Sequence, residues 1–115
     1  MAVLDRRKYP RIKIISKVAH IRDEHFHYFY SRDLSVGGIF LETDQAYPIG
    51  TKLELEMALP EVAERVRVFG KVARVVPPEE RLRGNIPGMG IQFIEMDTET
   101  QAMLADFIGK ELARQ

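Results

Sequence analysis

The sequence contains no cysteine, so neither disulfide bonds nor thiolate metal sites can form. It also lacks an excess of one charge, because 17 lysines and arginines balance 17 aspartates and glutamates. Proteins that bind duplex DNA or RNA without a specific site usually carry a basic excess. Long nucleic acid is therefore not an expected partner.

Long apolar runs are missing as well. No run approaches the roughly 20 apolar residues that span a bilayer, and the N-terminus lacks the apolar stretch of a signal peptide. We therefore expect a cytoplasmic protein without membrane insertion. No catalytic motif or paired set of carboxylates stands out, so we do not expect an enzyme.

The chain does contain a regular alternation of apolar and polar residues, which is typical of β-strands. Hydrophobic residues make up 45% of the 115 positions, enough for the core of one domain spanning 1–115. Gly70 interrupts a long alternating segment and predicts a bulge or bend there. The pattern predicts a mainly β fold, a six-stranded antiparallel β-barrel with one C-terminal α-helix. The expected elements are a flexible arm over 1–10, strands over 11–21, 25–32, 39–43, 51–59, 64–76 and 88–95, and a helix over 97–114.

The predicted helix carries a start signal and a packing face. Thr98 and Gln101 have the spacing of a capping box. An apolar stripe at helical spacing predicts packing against the barrel. Its members are Met103, Leu104, Phe107, Ile108 and Leu112.

Two polar clusters stand out, one of arginines before the first strand and one of Asp, Ser and Gly after the second. A polar turn at 22–24 lies midway between Arg11 and Asp33, so a hairpin brings both to one end of the barrel. The planar guanidinium group of arginine can form paired hydrogen bonds with phosphate oxygens or with the O6/N7 edge of guanine. The carboxylate of aspartate can accept hydrogen bonds from guanine N1 and N2. We therefore expect one site for a small anionic guanine nucleotide. Its residues are Arg6, Arg7, Arg11, Asp33, Ser35, Gly37 and Gly38.

These stretches resemble the motifs of the PilZ domain family, bacterial receptors for cyclic di-GMP. The family pattern, Arg-x-x-x-Arg and then Asp/Asn-x-Ser-x-x-Gly, is met by residues 7–11 and 33–38. The resemblance implies a PilZ-type barrel in which Arg7 and Arg11 hold phosphate and guanine while Asp33 and Ser35 contact a guanine base. It implies no other cofactor.

The resemblance also suggests a signalling mechanism. An arginine at the position of Arg6 is associated in the family with two intercalated ligand molecules, so we expect that stoichiometry. The arm would become ordered on the ligand, and this ordering would be relayed to an effector protein whose identity the sequence does not give.

Two alternatives use the same fold. A protein-interaction module that needs no nucleotide could use the helix stripe and a barrel face with Phe26, Tyr28 and Tyr30. A binder of single-stranded RNA or DNA could use a barrel face and the arginine arm. Taken singly, Tyr28 and Tyr30 are interpreted as packing residues rather than stacking platforms.

Three histidines fall close together in the predicted hairpin. His25 and His27 share a strand face, and His20 lies on the facing strand. Three imidazoles could hold Zn²⁺ or Ni²⁺. Ordinary half-exposed strand residues are the simpler interpretation, so no metal site is predicted.

Overall fold

The computed structural model of the chain describes residues 10–22 and 25–114. Within these ranges the chain forms seven β-strands and one α-helix. The strands are β1 (Ile12–Lys13), β2 (Lys17–Arg22), β3 (His25–Leu34), β4 (Gly38–Glu42), β5 (Lys52–Met57), β6 (Val66–Val76) and β7 (Gly88–Glu95), and the helix is α1 (Thr98–Arg114). A short 3-10 helix, Pro78–Arg83, lies in the segment between β6 and β7.

Six of the strands close into an antiparallel barrel. The order is β3-β2-β5-β6-β7-β4, and β4 pairs back with β3 to complete the ring. The additional short strand β1 pairs with the end of β3 beyond β2. The predicted six-stranded barrel with a C-terminal helix is confirmed.

The first predicted strand is not continuous, because a bulge separates β1 from β2. Lys13 pairs with Asp33 and Lys17 with Tyr30, so three residues face two across the hairpin. The buried Ser31 hydroxyl donates to the carbonyl of Ile14 at 2.7 Å and accepts from the Ser16 amide at 3.0 Å. These bonds satisfy backbone groups that the interrupted ladder leaves unpaired.

The barrel core is formed by the side chains that point inward, at every second position of the strands, and by the buried face of the helix. β5 shows the pattern directly, since Leu53, Leu55 and Met57 are buried between more exposed residues. The bulge predicted at Gly70 is confirmed by a register shift between Phe69 and Gly70. A Cβ at Gly70 would lie 2.5 Å from Cγ2 of Ile91 and 2.9 Å from the Gln92 carbonyl oxygen, so only glycine fits without displacing β7.

The helix packs on the barrel with the middle of its predicted stripe. Leu104, Phe107 and Ile108 are buried, Met103 is half-buried, and Leu112 is 38% exposed. The predicted capping box is wrong.

Asp97 caps the helix instead, because its Oδ1 accepts the Thr100 amide at 2.7 Å. This hydrogen bond lowers the pKa of the Asp97 carboxyl. No helix within 10–22 and 25–114 is both long and apolar enough to cross a bilayer.

Candidate ligand-binding site

The candidate site lies where β1, the end of β3 and the start of β4 meet. Ile12 pairs with Leu34, which sets Arg11 beside the turn that follows β3. Asp33 is the penultimate residue of β3, whereas the sequence pattern placed it after the strand predicted over 25–32, and it also pairs with Phe40 of β4. The hairpin therefore brings the arginine and the aspartate to one end of the barrel.

Arg11 and Asp33 form a charge-assisted pair at this end. The guanidinium Nε donates to Oδ1 of Asp33 at 2.8 Å, and Nη2 donates to the same oxygen at short range. The side chains are 25% and 32% exposed, so the pair remains accessible to a ligand. Among the residues that the structure describes, no hydrogen bond reaches Oδ2 of Asp33.

Ser35 joins the pair to the turn. Its hydroxyl accepts from Nη1 of Arg11 at 3.2 Å and from the amides of Gly37 and Gly38 at 3.1 and 3.2 Å. The Ser35 amide donates to the Gly38 carbonyl at 2.9 Å and closes the turn. Ser35 is fully buried, so its hydroxyl holds the turn and the guanidinium together from beneath.

The two glycines of the motif serve this turn through their backbone groups. Besides the two amides given to Ser35, the carbonyl of Gly37 accepts the amide of Phe93 at 3.0 Å. The positive φ that glycine permits is found at Gly50 and Gly84, not at Gly37 or Gly38. The turn is therefore tied to β7 as well as to β1.

The remaining predicted site residues, Arg6 and Arg7, lie outside the described residues. The structure thus brings together five of the seven predicted positions. One contact that the sequence did not predict is the hydrogen bond from Arg11 to Ser35. The spacing of the motifs gave no signal for it, because it depends on the side-chain conformation of the arginine.

The three histidines that were considered as possible metal ligands lie at the opposite end of the β2–β3 hairpin. His20 and His27 pair directly across β2 and β3, and their ring centroids are 6.1 Å apart. Within the described part of the chain, no three His, Cys, Asp or Glu side chains are placed to hold a metal ion.

His20 has a partner that the sequence analysis did not identify. Its Nδ1 lies 3.1 Å from the Tyr47 hydroxyl, and its side chain is buried. Burial lowers the pKa of His20, and the charges of His27 and Arg22 lower it further. Burial also raises the pKa of Tyr47, against the effect of Arg22. These effects favour the neutral form of the histidine.

The tyrosines of β3 differ from their predicted role. Tyr28 and Tyr30 are 55% and 56% exposed, and Phe26 is 53% exposed. The prediction that the two tyrosines are packing residues is wrong. They lie on the outer face of the hairpin, where Phe26 stacks on Tyr28 with ring centroids 6.3 Å apart.

Comparison with known proteins agrees with the barrel fold. The family model described as "PilZ domain" matches residues 5–110. The chain belongs to the PilZ domain family. A search of curated proteins gave no significant match.

Solved structures share the fold of this PilZ domain at low sequence identity. The Bacillus subtilis inhibitor of motility, MotI/DgrA, is 22% identical with a TM-score of 0.76, covering 97% of this chain and 54% of that chain. The MrkH–c-di-GMP complex of K. pneumonia is 16% identical with a TM-score of 0.74, covering 96% and 54%. The PilZ domain of Escherichia coli YcgR with c-di-GMP is 18% identical with a TM-score of 0.67, covering 96% and 93%. This chain thus spans about half the length of the MotI/DgrA and MrkH chains.

Proposed function

We propose that this PilZ domain is a non-enzymatic receptor for cyclic di-GMP. The observation that carries the proposal is the cluster of Arg11, Asp33 and Ser35 at one end of the barrel, joined by side-chain hydrogen bonds and still partly exposed. Family membership and the c-di-GMP complexes of YcgR and MrkH, which share the fold, support the choice of ligand.

The cluster keeps hydrogen-bonding capacity for a ligand. A guanidinium carries five N–H donors, of which three are used by Asp33 and Ser35. The two others can donate to phosphate oxygens or to the O6/N7 edge of guanine. Oδ2 of Asp33 can accept from the N1 and N2 groups of guanine, which adenine does not offer in the same arrangement.

The buried hydroxyl of Ser35 suggests a different role from the direct base contact implied by the family resemblance. Its hydrogen bonds go to Arg11 and to the turn amides of Gly37 and Gly38. We assign Ser35 as a positioning residue that fixes the direction of the Arg11 fork. The glycines leave the surface above the turn without side chains, so a ligand can approach closely.

The arm supplies the rest of the proposed site. Arg7 would bind phosphate and guanine together with Arg11, and Arg6 would support a second, intercalated ligand molecule. Attachment of the arm at Pro10, next to Arg11, makes this possible by chain connectivity alone. Ordering of the arm on the ligand would change the surface presented to an effector protein.

Calorimetric titration with cyclic di-GMP tests this function. Native protein should bind at micromolar affinity or better, because three or four charge-assisted hydrogen bonds contribute roughly 1.5–3 kcal/mol each. Arg7→Ala and Arg11→Ala should each abolish measurable binding. Arg67→Ala is the matched control, because Arg67 pairs with Glu56 at 3.0 Å on the outside of β5 and β6, away from the site.

The same titration examines the stoichiometry and the selectivity. Two ligand molecules per chain are expected, falling to one in Arg6→Ala, while cyclic di-AMP should give no heat. Unchanged affinity in Arg11→Ala, or equal binding of the two dinucleotides, would contradict the proposed site.

A nucleotide-independent interaction module is the second candidate. It is favoured by the half-exposed aromatic residues Phe26, Tyr28 and Tyr30, which lie away from the Arg11 cluster. A folded native protein that gives no heat with cyclic di-GMP would favour this candidate over the receptor.

A further inference from the structure

A row of four residues crosses the outer face of the barrel beside the candidate site. Asp33 of β3 pairs with Phe40 of β4. Phe40 in turn pairs with Gly90 of β7, which pairs with Arg74 of β6. Side chains at directly paired positions lie on the same side of a sheet. The chain neighbours of Phe40 on β4 belong to the core cluster and Phe40 does not, so the row faces outward. We call these four residues the outer row.

The side chain of Arg74 extends along the outer row toward Asp33. The central carbon of its guanidinium lies over the Phe40 ring, 5.2 Å from the ring centroid. The ring in turn occupies the space that a side chain at Gly88 would need, because a Cβ there would lie 2.7 Å from Cε2 and Cζ of Phe40. Phe40 is therefore only 5% exposed, and it forms a fixed platform on which the guanidinium stacks.

No described carboxylate neutralises Arg74. The side chain is exposed, and within residues 10–22 and 25–114 it forms neither an ion pair nor a hydrogen bond. The acids on the same face of β3 and β4 are already paired, Asp33 with Arg11 and Glu42 with Arg32 at 3.3 Å. All five N–H donors of the Arg74 guanidinium are thus available to an anion.

The surface between Asp33 and Arg74 is low enough for a ligand to lie across it. The Cα atoms of these two residues are three strand spacings apart, about 14 Å along the barrel surface. Because Arg74 lies over Phe40, its guanidinium is nearer to Asp33 than that span. Gly38 and Gly90 flank Phe40 on this face and carry no side chain that would block the path. A dinucleotide held by one base at Asp33 must extend beyond that base, and a cation lies in this direction.

We propose that Arg74 is a further ligand-binding residue, which holds a phosphate of the nucleotide whose guanine is bound at Asp33. Phe40 is its positioning residue, since the ring fixes where the guanidinium lies. The inference rests on the proposed function, because the base at Asp33 determines where the phosphates are. It adds to the site a cation from β6, a strand that neither sequence motif includes.

Calorimetry with cyclic di-GMP tests the assignment. Arg74→Ala should weaken binding about tenfold or more, because it removes charge-assisted hydrogen bonds. Arg67→Ala is the control on the same strand, since its guanidinium is paired with Glu56 at 3.0 Å, and it should bind like native protein. Affinity in Arg74→Ala that stays within about twofold of native would overturn the proposal. So would a loss of stability in urea denaturation without a loss of affinity, which would leave Arg74 only a cover for Phe40.

Arg74→Lys identifies the ligand group. A phosphate accepts a point charge, so this variant should bind within about threefold of native protein. A base edge or a stacked base requires the planar guanidinium instead. A lysine variant as weak as Arg74→Ala would overturn the assignment to phosphate.

A double-mutant cycle tests the role of Phe40. Phe40→Leu should weaken binding a few-fold in native protein and should have no further effect in Arg74→Ala, because the platform then has nothing to position. Equal losses in the two backgrounds would overturn the positioning role. In ¹⁵N NMR, the Nε–H signal of Arg74 should shift and exchange more slowly with water when cyclic di-GMP is added. An unchanged signal at saturating ligand would overturn direct contact.

Arg11→Ala separates this inference from the receptor function. Loss of binding in Arg11→Ala together with native affinity in Arg74→Ala would remove only the role of Arg74. Native protein that gives no heat with cyclic di-GMP would remove both.

Discussion

The two ends of the β2–β3 hairpin differ in how their polar groups are satisfied. At the turn end, Arg11, Asp33 and Ser35 bond to one another and to the backbone, and the pair of charges remains partly exposed. Toward the other end, the buried His20 and the half-buried Tyr47 lie side by side, next to the part of β3 before Tyr30, which pairs with no residue of β4 in the described chain. One hairpin thus carries an assembled polar cluster at one end and an incomplete sheet at the other.

The contrast has a physical consequence. A cluster whose groups already hold one another loses little conformational freedom when a small ligand arrives, which favours tight binding of a defined molecule. His20, in contrast, is buried and favours its neutral form, so a change there should act on stability rather than on ligand binding. This is why we assign the nucleotide to the turn end.

Asp33→Ala should weaken ligand binding strongly and should act only on the turn end. Loss of two charge-assisted hydrogen bonds to guanine costs about 3 kcal/mol or more, which is on the order of 100-fold in affinity for cyclic di-GMP. Stability should change by less than about 1 kcal/mol, because the ion pair with Arg11 is partly exposed. Calorimetry and urea denaturation measure the two quantities. Glu42→Ala, which breaks the comparable Arg32 pair, should leave affinity unchanged.

Ser35→Ala should lower the free energy of unfolding by about 2 kcal/mol, because buried amides of Gly37 and Gly38 lose their acceptor. Ligand affinity should fall with it, since Arg11 loses a support. Ser16→Ala is the matched control, because within residues 10–22 and 25–114 the hydrogen bond of its hydroxyl is to that of Ser31 alone. It should cost less than about 1 kcal/mol. Equal destabilisation by the two changes would show that the turn does not depend on Ser35.

Much of the fold could be predicted from the sequence, because the alternation of apolar and polar residues and the positions of glycines depend on the local backbone conformation. The approximate positions of most strands and the bulge at Gly70 follow from such signals, whereas the exact ends of several strands differ by one or two residues. The break between β1 and β2 does not, because it is stabilised by Ser31, which lies 15 or more residues away from its partners. Likewise, adjacent Asp97 and Thr98 are both good capping residues, and only the backbone geometry selects Asp97.

The exposure of the β3 tyrosines and the side-chain hydrogen bonds of the site also could not be predicted from local sequence patterns. Alternation separates the two faces of β3, but both faces carry aromatic residues, so it does not say which one is buried. Near-symmetry of the hairpin predicted that Arg11 and Asp33 would meet, and they do. The hydrogen bond from Arg11 to Ser35 and the partnership of His20 with Tyr47 depend on side-chain conformations that periodicity does not encode.

At the opposite end of the hairpin from the turn, stability should depend on pH through His20. Its pKa is lowered in the folded state by burial, His27 and Arg22, so the unfolded chain binds the proton more readily. Stability should therefore be full above the unfolded value of 6.5 and fall as the pH drops below it toward the folded pKa. Urea denaturation at pH 7.5 and 5.5 measures this loss. His20→Gln should flatten this dependence, whereas His25→Gln should leave it; the reverse pattern would contradict the assignment.

Tyr47→Phe should give the smallest effect and completes the separation of the two ends. It removes the hydroxyl that lies 3.1 Å from His20 Nδ1 but keeps the ring, which contacts Phe29 edge-on with centroids 5.9 Å apart. The loss of one neutral hydrogen bond should reduce the free energy of unfolding by about 0.5 kcal/mol. Cyclic di-GMP affinity should stay within the error of calorimetry, because the hydroxyl lies away from the turn end. Tyr30→Phe, which alters an exposed hydroxyl on the same hairpin, should change neither quantity. A change in nucleotide affinity in Tyr47→Phe would show that the two ends are coupled through the hairpin.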